Sequence, residues 1–305
     1  MRASIIIPTL NGGPFLIKCV NSILSQSVIV DSEIIIIDSE STDGSIQKCC
    51  DLIEKKAIKH KLISIKQKDF NHGSSRNFAI KHSCGEIVVL LTQDAIPYNS
   101  LWLSNLIMNF EADSQIVGVF GRHKAHKNHP YIIQRDIENH FSFMEQIPVR
   151  FIDDIDEYNR DETLRQKLHF FSNNNSAIRR STWEKIPFPP VGFGEDQTWA
   201  KIVLEMGFKT FYCKDSVVYH SHYYGIAESF KRTFIEVRYF KKHFDYDLSL
   251  SITRFCLAIW KGIFSDIKWL SENKRLSFLE LNYSVKVNLG SNLARLACRI
   301  NKLKT

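Results

Sequence analysis

Five polar clusters in this chain of 305 residues carry side chains able to do chemistry. Asp38 follows the apolar run 34–37, where a carboxylate can face a base or a ribose. The position also suits a helix N-cap, a role open equally to Ser39, Ser41 or Asp43. Asp94, in Thr92-Gln93-Asp94-Ala95, follows a second apolar run, 86–91. An acid there can bind a divalent cation that bridges a diphosphate, and hard oxygen ligands suit Mg2+ or Mn2+. It also reads as an ordinary turn residue before Pro97. Phe70-Asn71-His72-Gly73-Ser74-Ser75-Arg76-Asn77 places hydroxyls, a glycine and an arginine at a helix start. Such a start favours anions, and the arginine fork matches phosphate oxygens; Ser74 or Ser75 would cap the same helix. Glu195 and Asp196 are adjacent acids at another helix start. Either could act as a general base, and both complement a helix dipole worth only ~0.3–1 kcal/mol. His220 and His222 share one face of a strand and could complete a cation's shell. No GxGxxG or Walker loop occurs, which counts against dinucleotide and P-loop readings.

The elements that must hold these clusters alternate. Short β-branched or apolar runs at 4–8, 34–37, 62–66 and 86–91 are separated by helical spacing at 15–25, through Cys50 and Ile53, and at 75–82. Strands apolar on both faces and separated by helices mean an α/β fold with a mostly parallel sheet covered on both sides. Ligands of such sheets sit at the carboxyl ends of the strands, where all the clusters from the first hundred residues fall. Residues 123–170 are rich in His, Asp and Arg with weak periodicity, and read as a long loop and helical excursion, a mobile lid or a loop beside a bound second substrate. Strands are expected at 210–212 and 217–220, a helix at 195–206, and helices from 226 to the end.

Charge divides the chain. Residues 226–305 hold 15 basic and 7 acidic residues, net +8, whereas 1–225 hold 25 and 26, net −1. The basic excess belongs to the C-terminal extension, which argues for an anionic surface there and against a nucleic-acid-binding core. Within it, 255–270 is dominated by apolar and aromatic residues with Lys261 and Lys268 seven apart, an amphipathic helix suited to an anionic bilayer or to packing on protein. The seven cysteines form no CxxC pair, which fits a reducing compartment, and no run is long enough for a membrane span.

The order of the motifs resembles glycosyltransferase family 2: 4–11, then Asp38 to Gly44, Thr92-Gln93-Asp94, Gly194-Glu195-Asp196 and His220-Ser221-His222. More narrowly, 70–77, 91–95 and Phe171-Ser172-Asn173-Asn174-Asn175-Ser176-Ala177 look like its bacterial rhamnosyltransferase branch. The resemblance covers about residues 1–225 and implies an inverting enzyme with a GT-A, Rossmann-like sheet; the helices read beyond Gly225 make 226–305 a C-terminal extension. It implies a nucleotide-diphosphate sugar donor, dTDP-L-rhamnose, and a polyprenyl-diphosphate-linked saccharide acceptor in O-antigen or surface polysaccharide synthesis. The expected place is the cytoplasm, peripheral on the inner face of the bacterial plasma membrane. Pro8, Thr9, Asn11, Asp38, Ser41, Gln93 and Asp94 would line the nucleotide pocket, with Arg76 on the diphosphate. Asp94 and His222 would bind Mg2+ or Mn2+, with His220 the second choice. Asp196 would be the base, Glu195 beside it would position the acceptor, and Asn174 and Asn175 would contact it. Two departures stand out: Thr92 replaces the first acid of the family's DxD motif, and Glu40 replaces a small residue. The same fold with a UDP- or GDP-linked sugar remains open. Nucleotidyl transfer would need basic residues in the loop after the first strand, and Asn11-Gly12-Gly13-Pro14 has none. A non-catalytic sugar- or lipid-binding module would not need Asp94, Asp196 and His222 together.

Overall fold

The computed structural model describes residues 3–302, so the last three residues of the expected extension lie outside it. Nine strands form one sheet among the described residues: β1 (Ala3–Thr9), β2 (Ser32–Asp38), β3 (Lys59–Ser64), β4 (Ile87–Leu91), β5 (Ile96–Pro97), β6 (Ile116–Lys124), β7 (Val149–Arg150), β8 (Asn175–Arg179) and β9 (Lys209–Tyr219). Their order is β3-β2-β1-β4-β8-β6-β9-β5, with β7 pairing β9. Every residue of β1, β2 and β4 is buried, as expected for parallel strands sandwiched between helices. The helix Gly13–Leu24 contributes Leu16, Cys19, Val20 and Ile23 to this core, and Ser45–Lys55 contributes Cys49 and Ile53. β3 ends the sheet and is largely exposed, with Lys59 and Lys61 discouraging further pairing.

Several expected boundaries move, each for a local reason. The pair of strands expected at 210–212 and 217–220 is one strand, β9. Its partner register jumps from Gly121↔Cys213 to Arg122↔Val217, so residues 214–216 leave the ladder with β6 in a bulge, Lys214 and Asp215 exposed and Ser216 buried. The excursion 123–170 carries the helices Tyr131–Met144, Ile155–Arg160 and Glu162–His169. Its acidic residues are in part caps: Asp154 accepts from the amides of Asp156 and Glu157, and Asp161 from those of Thr163 and Leu164. The helix expected from 75 begins earlier, at His72, because Asn71 caps it by accepting from the Ser74 amide; neither Ser74 nor Ser75 is the cap.

The chain divides into two compact units, Met1–Lys124 with Asn139–His220, and Ala125–Glu138 with Ser221–Thr305. The second contains the helices Ile226–Phe244, Ile252–Glu272 and Phe278–Lys302. Ile132, Ile133, Leu270 and Tyr283 form its core, and Asp266 accepts from Arg135 at 2.7 Å and from Ser284 at 2.6 Å. No helix among the described residues is long and apolar enough to cross a membrane.

In the first unit the strand directions bring the polar clusters to one edge. β1, β2 and β4 run parallel, with Thr9↔Asp38 and Ile6↔Leu90. β8 runs against β4, so its first residue, Asn175, lies opposite Leu91. β6 runs against β8 and alongside β9, which places Lys124 opposite Tyr219. Asp38, the segment 92–94, the lead-in 173–174 and His220 therefore border the same edge.

Candidate active site

On the β1–β2 side, two loops are stapled together by their own polar side chains. Gln93 Oε1 accepts from Thr9 Oγ1 at 2.7 Å and from the Leu10 amide at 2.9 Å, tying the end of β1 to the loop after β4. Asn11 sits in the left-handed region (φ 47°), its amide donates to Ser41 Oγ at 2.7 Å, and its Oδ1 accepts from the Thr42 amide at 2.8 Å. Asp38 accepts from the Ser41 amide at 3.1 Å and does not cap the next helix; Asp43 instead takes the Ser45 amide at 3.0 Å. Glu40 also has positive φ (66°) and holds the Gln67 amide at 3.0 Å. Thr9, Asn11, Asp38, Ser41 and Gln93 thus belong to one lining, whereas Pro8 is buried within β1 opposite Ile37.

At the β4 end, Asp94 Oδ1 lies 3.6 Å from His220 Nε2. Ligands at ~2.1 Å from one octahedral ion stand ~3 Å apart, so this carboxylate and imidazole could share a divalent cation after a small adjustment. His220, the second choice from sequence, is the imidazole that faces Asp94 in this unit. His222 follows two residues later, in the second unit. Thr92, at the position of the missing first acid, has its Oγ1 buried without a hydrogen-bond partner.

At the start of β8, three elements meet. The helix Glu195–Glu205 begins after Gly194 in the left-handed region (φ 69°), which puts both acids in its first turn. Glu195 Oε1 accepts from Arg76 Nη1 at 2.6 Å and from Asn173 Nδ2 at 3.1 Å. Asp196 accepts from the Asn173 amide at 3.0 Å and the Gln197 amide at 2.8 Å. Burial and then the Glu195 charge raise the Asp196 carboxyl to about 7, against the lowering effect of those amides and of Arg76. A carboxylate so poised is suited to accept a proton near neutral pH.

The arginine-bearing motif is turned to a different use from the one expected. Gly73 lies so close to the Pro189 carbonyl oxygen that a Cβ there would meet it at 1.9 Å. Asn77 binds Phe188 through both its amide and its carbonyl side, and also takes the Trp183 indole at 2.8 Å. This end of the helix is therefore docked on the segment 183–190, and Arg76, 2% exposed, points at Glu195. Arg76 is placed to hold the acid pair; its expected place on a diphosphate does not agree with that burial. Asn175, expected at the acceptor, is fully buried between Trp102 Nε1 at 2.8 Å and the Ser216 carbonyl at 2.9 Å, so it braces the sheet. Asn174 is half-buried beside it. Asn173, which sequence reasoning passed over within the same motif, is the residue that grips both acids.

A family model described as glycosyl transferase family 2 matches residues 4–186. The O-antigen chain rhamnosyltransferase RfbN of Salmonella typhimurium is 34% identical over 238 residues, 77% of this chain and 71% of that protein. The O-antigen chain rhamnosyltransferase WbaN of Salmonella anatum is 30% identical over 235 residues, 76% and 70% of the two chains. Among solved structures, the mannosyltransferase PcManGT from Pyrobaculum calidifontis, in complex with GDP-Man and Mn2+, superposes with a TM-score of 0.60 at 20% identity, covering 98% of this chain and 75% of that one. S. aureus TarS 1-349 in complex with UDP-GlcNAc gives 0.57 at 16% identity, covering 99% and 92%. The two structures bear on the fold alone, which is the GT-A architecture.

Proposed function

Because the chain belongs to glycosyltransferase family 2 and is a glycosyltransferase, we propose that it transfers L-rhamnose from dTDP-L-rhamnose, with inversion, to a polyprenyl-diphosphate-linked saccharide in O-antigen synthesis. The observation that carries the reaction is the register Leu91↔Asn175. Asp94 lies three residues past one strand end, and Asn173, two residues before the other, holds Asp196. The choice of sugar is supported by the two O-antigen rhamnosyltransferases that match three quarters of the chain. Catalysis falls to residues 1–225, with 226–305 as a basic helical extension.

In this reading Thr9, Asn11, Asp38, Ser41 and Gln93 hold the nucleotide. Asp196 takes the proton of the acceptor hydroxyl, that oxygen bonds to the anomeric carbon, and the bond from that carbon to the diphosphate oxygen breaks on the opposite face. Asp94 and His220 would hold Mg2+ or Mn2+, which when bound supplies positive charge to the leaving diphosphate. A non-catalytic binding module has no need of a carboxyl raised to about 7 at its sheet edge. A second reading, a UDP- or GDP-linked sugar, draws on the similar structures that hold UDP-GlcNAc and GDP-Man. Thermal denaturation with each nucleoside diphosphate and Mn2+ separates them, since a ligand raises stability through its affinity for the folded state. Stabilisation by dTDP beyond UDP and GDP is expected, followed by turnover of dTDP-L-rhamnose; the reverse ranking supports the second reading.

The extension is proposed to meet an anionic bilayer at the inner face of the plasma membrane. On the helix Ile252–Glu272, Leu257, Trp260, Phe264 and Ile267 form an exposed stripe at helical spacing, and the rings of Trp260 and Phe264 stack at 5.4 Å. Asp266 and Leu270 are buried. Lys261 and Lys268 lie beside the stripe, each basic group near such a surface contributing ~1 kcal/mol. The full chain is expected to sediment with anionic but not neutral vesicles, and the W260A/F264A variant to lose most of that binding. Equal partition of the two proteins would contradict this role.

A further inference from the structure

The acid pair at the start of the helix Glu195–Glu205 is built in a way that proton abstraction alone does not require. Glu195 is 4% exposed and Arg76 2% exposed, and their ion pair spans two helices far apart in sequence. Against well-packed apolar residues, a buried pair of this kind contributes little net stability. Asn173 binds Glu195 through its side chain and Asp196 through its backbone. Its own amide is fixed by Ser176 Oγ, which donates to Asn173 Oδ1 at 2.9 Å. One residue therefore sets the spacing of both carboxylates.

We propose that Arg76 and Asn173 are positioning residues that pin Glu195 beside Asp196 as a fixed negative charge, so that Glu195 sets the proton affinity of the base and does not touch the acceptor. This deepens the sugar-transfer reading and rests on it. The charged and titratable groups facing the base are Glu195 on its own helix and Arg76 on the helix His72–Lys81, with His72 Nδ1 3.3 Å from Arg76 Nη1. Asp196 also accepts from the neutral amides of Asn173 and Gln197.

The signs follow from the charges. Glu195→Gln removes the neighbouring negative charge and leaves Arg76 unopposed, so Asp196 gives up its proton more readily. Arg76→Met leaves Glu195 without its cation, so the acid pair holds a proton more tightly. Each change is worth about one pH unit or more. Arg76→Lys retains the cation and restores the wild-type position in large part.

The test is a carboxyl carbon-13 NMR titration of the full chain, with Asp196→Asn assigning the resonance, run beside the pH profile of kcat/KM. The expected result is an Asp196 midpoint displaced to lower pH in Glu195→Gln and to higher pH in Arg76→Met. An unmoved midpoint, or displacement of both variants in one direction, overturns the proposal. If Arg76→Met does not fold, the sign for Glu195→Gln with Arg76→Lys as the charged control decides. The NMR arm needs no sugar. Midpoints that move while the rate profile stays fixed would uphold the charge arrangement and count against Asp196 as the base.

Discussion

Asp196→Asn is expected to lower kcat by about 10²–10⁴-fold, the usual contribution of a positioned general base. Its oxygens are already held by the amides of Asn173 and Gln197, so the side chain cannot swing away to another role. An amide can fill the same space without accepting the acceptor's proton. Nucleotide affinity, measured by calorimetry with dTDP, should be unchanged, because the lining proposed for the nucleotide is built from β1, β2 and the loop after β4. The wild-type pH profile should show the same group. Burial and Glu195 hold the carboxyl near 7, so kcat/KM falls as pH drops through that value and the acid becomes protonated. The variant should lack that limb. Near-wild-type turnover in Asp196→Asn would place the base elsewhere.

The second large effect is expected at Asp94. With Thr92 in place of the first acid, Asp94 is the only carboxylate in the Thr92-Gln93-Asp94 segment, and it faces His220 at 3.6 Å. Asp94→Asn removes the sole formal negative charge that this segment offers a cation. Stabilisation of a leaving group by a metal is worth several kcal/mol, so a loss on the order of 10²–10³-fold in kcat/KM is expected. The primary readout is Mn2+ affinity, followed by electron paramagnetic resonance of the free ion. Binding should weaken at least tenfold, and raised Mn2+ should recover part of the activity. Unaltered Mn2+ binding would show that the cation is held by other groups.

How much of this was legible in the sequence depended on range. The strand–helix alternation of the first hundred residues was plain, because β1, β2 and β4 are buried on both faces and read as unbroken apolar runs. β3 was displaced by three residues at its start, because an exposed edge strand has no such pattern. The bulge at 214–216 hid the continuity of β9, since register belongs to the partner strand. Within the candidate site, the acids at 38, 94 and 196 stand out in sequence because each follows a strand end or opens a helix. The contact of Arg76 with Glu195 does not. Its motif fits an anion-binding helix start equally well, and only the approach of Gly73 to Pro189, more than a hundred residues away, turns the helix onto Glu195. Asn173, Asn174 and Asn175 are identical in type, and one grips the acids while another braces Trp102. The division of labour among three identical side chains is set by the antiparallel entry of β8 beside β4, which local pattern does not reveal.

The central claim is that one sheet edge grips a nucleotide diphosphate at Asp94 and presents the sugar to Asp196. A crystal structure with dTDP-L-rhamnose and Mn2+, the ion located by its anomalous scattering, tests it most directly. The account predicts manganese between Asp94 and His220, the thymine against Asp38, and the anomeric carbon turned toward the Asp196 carboxylate. Manganese bound away from Asp94, or a sugar whose anomeric carbon faces a surface without Asp196, would contradict it.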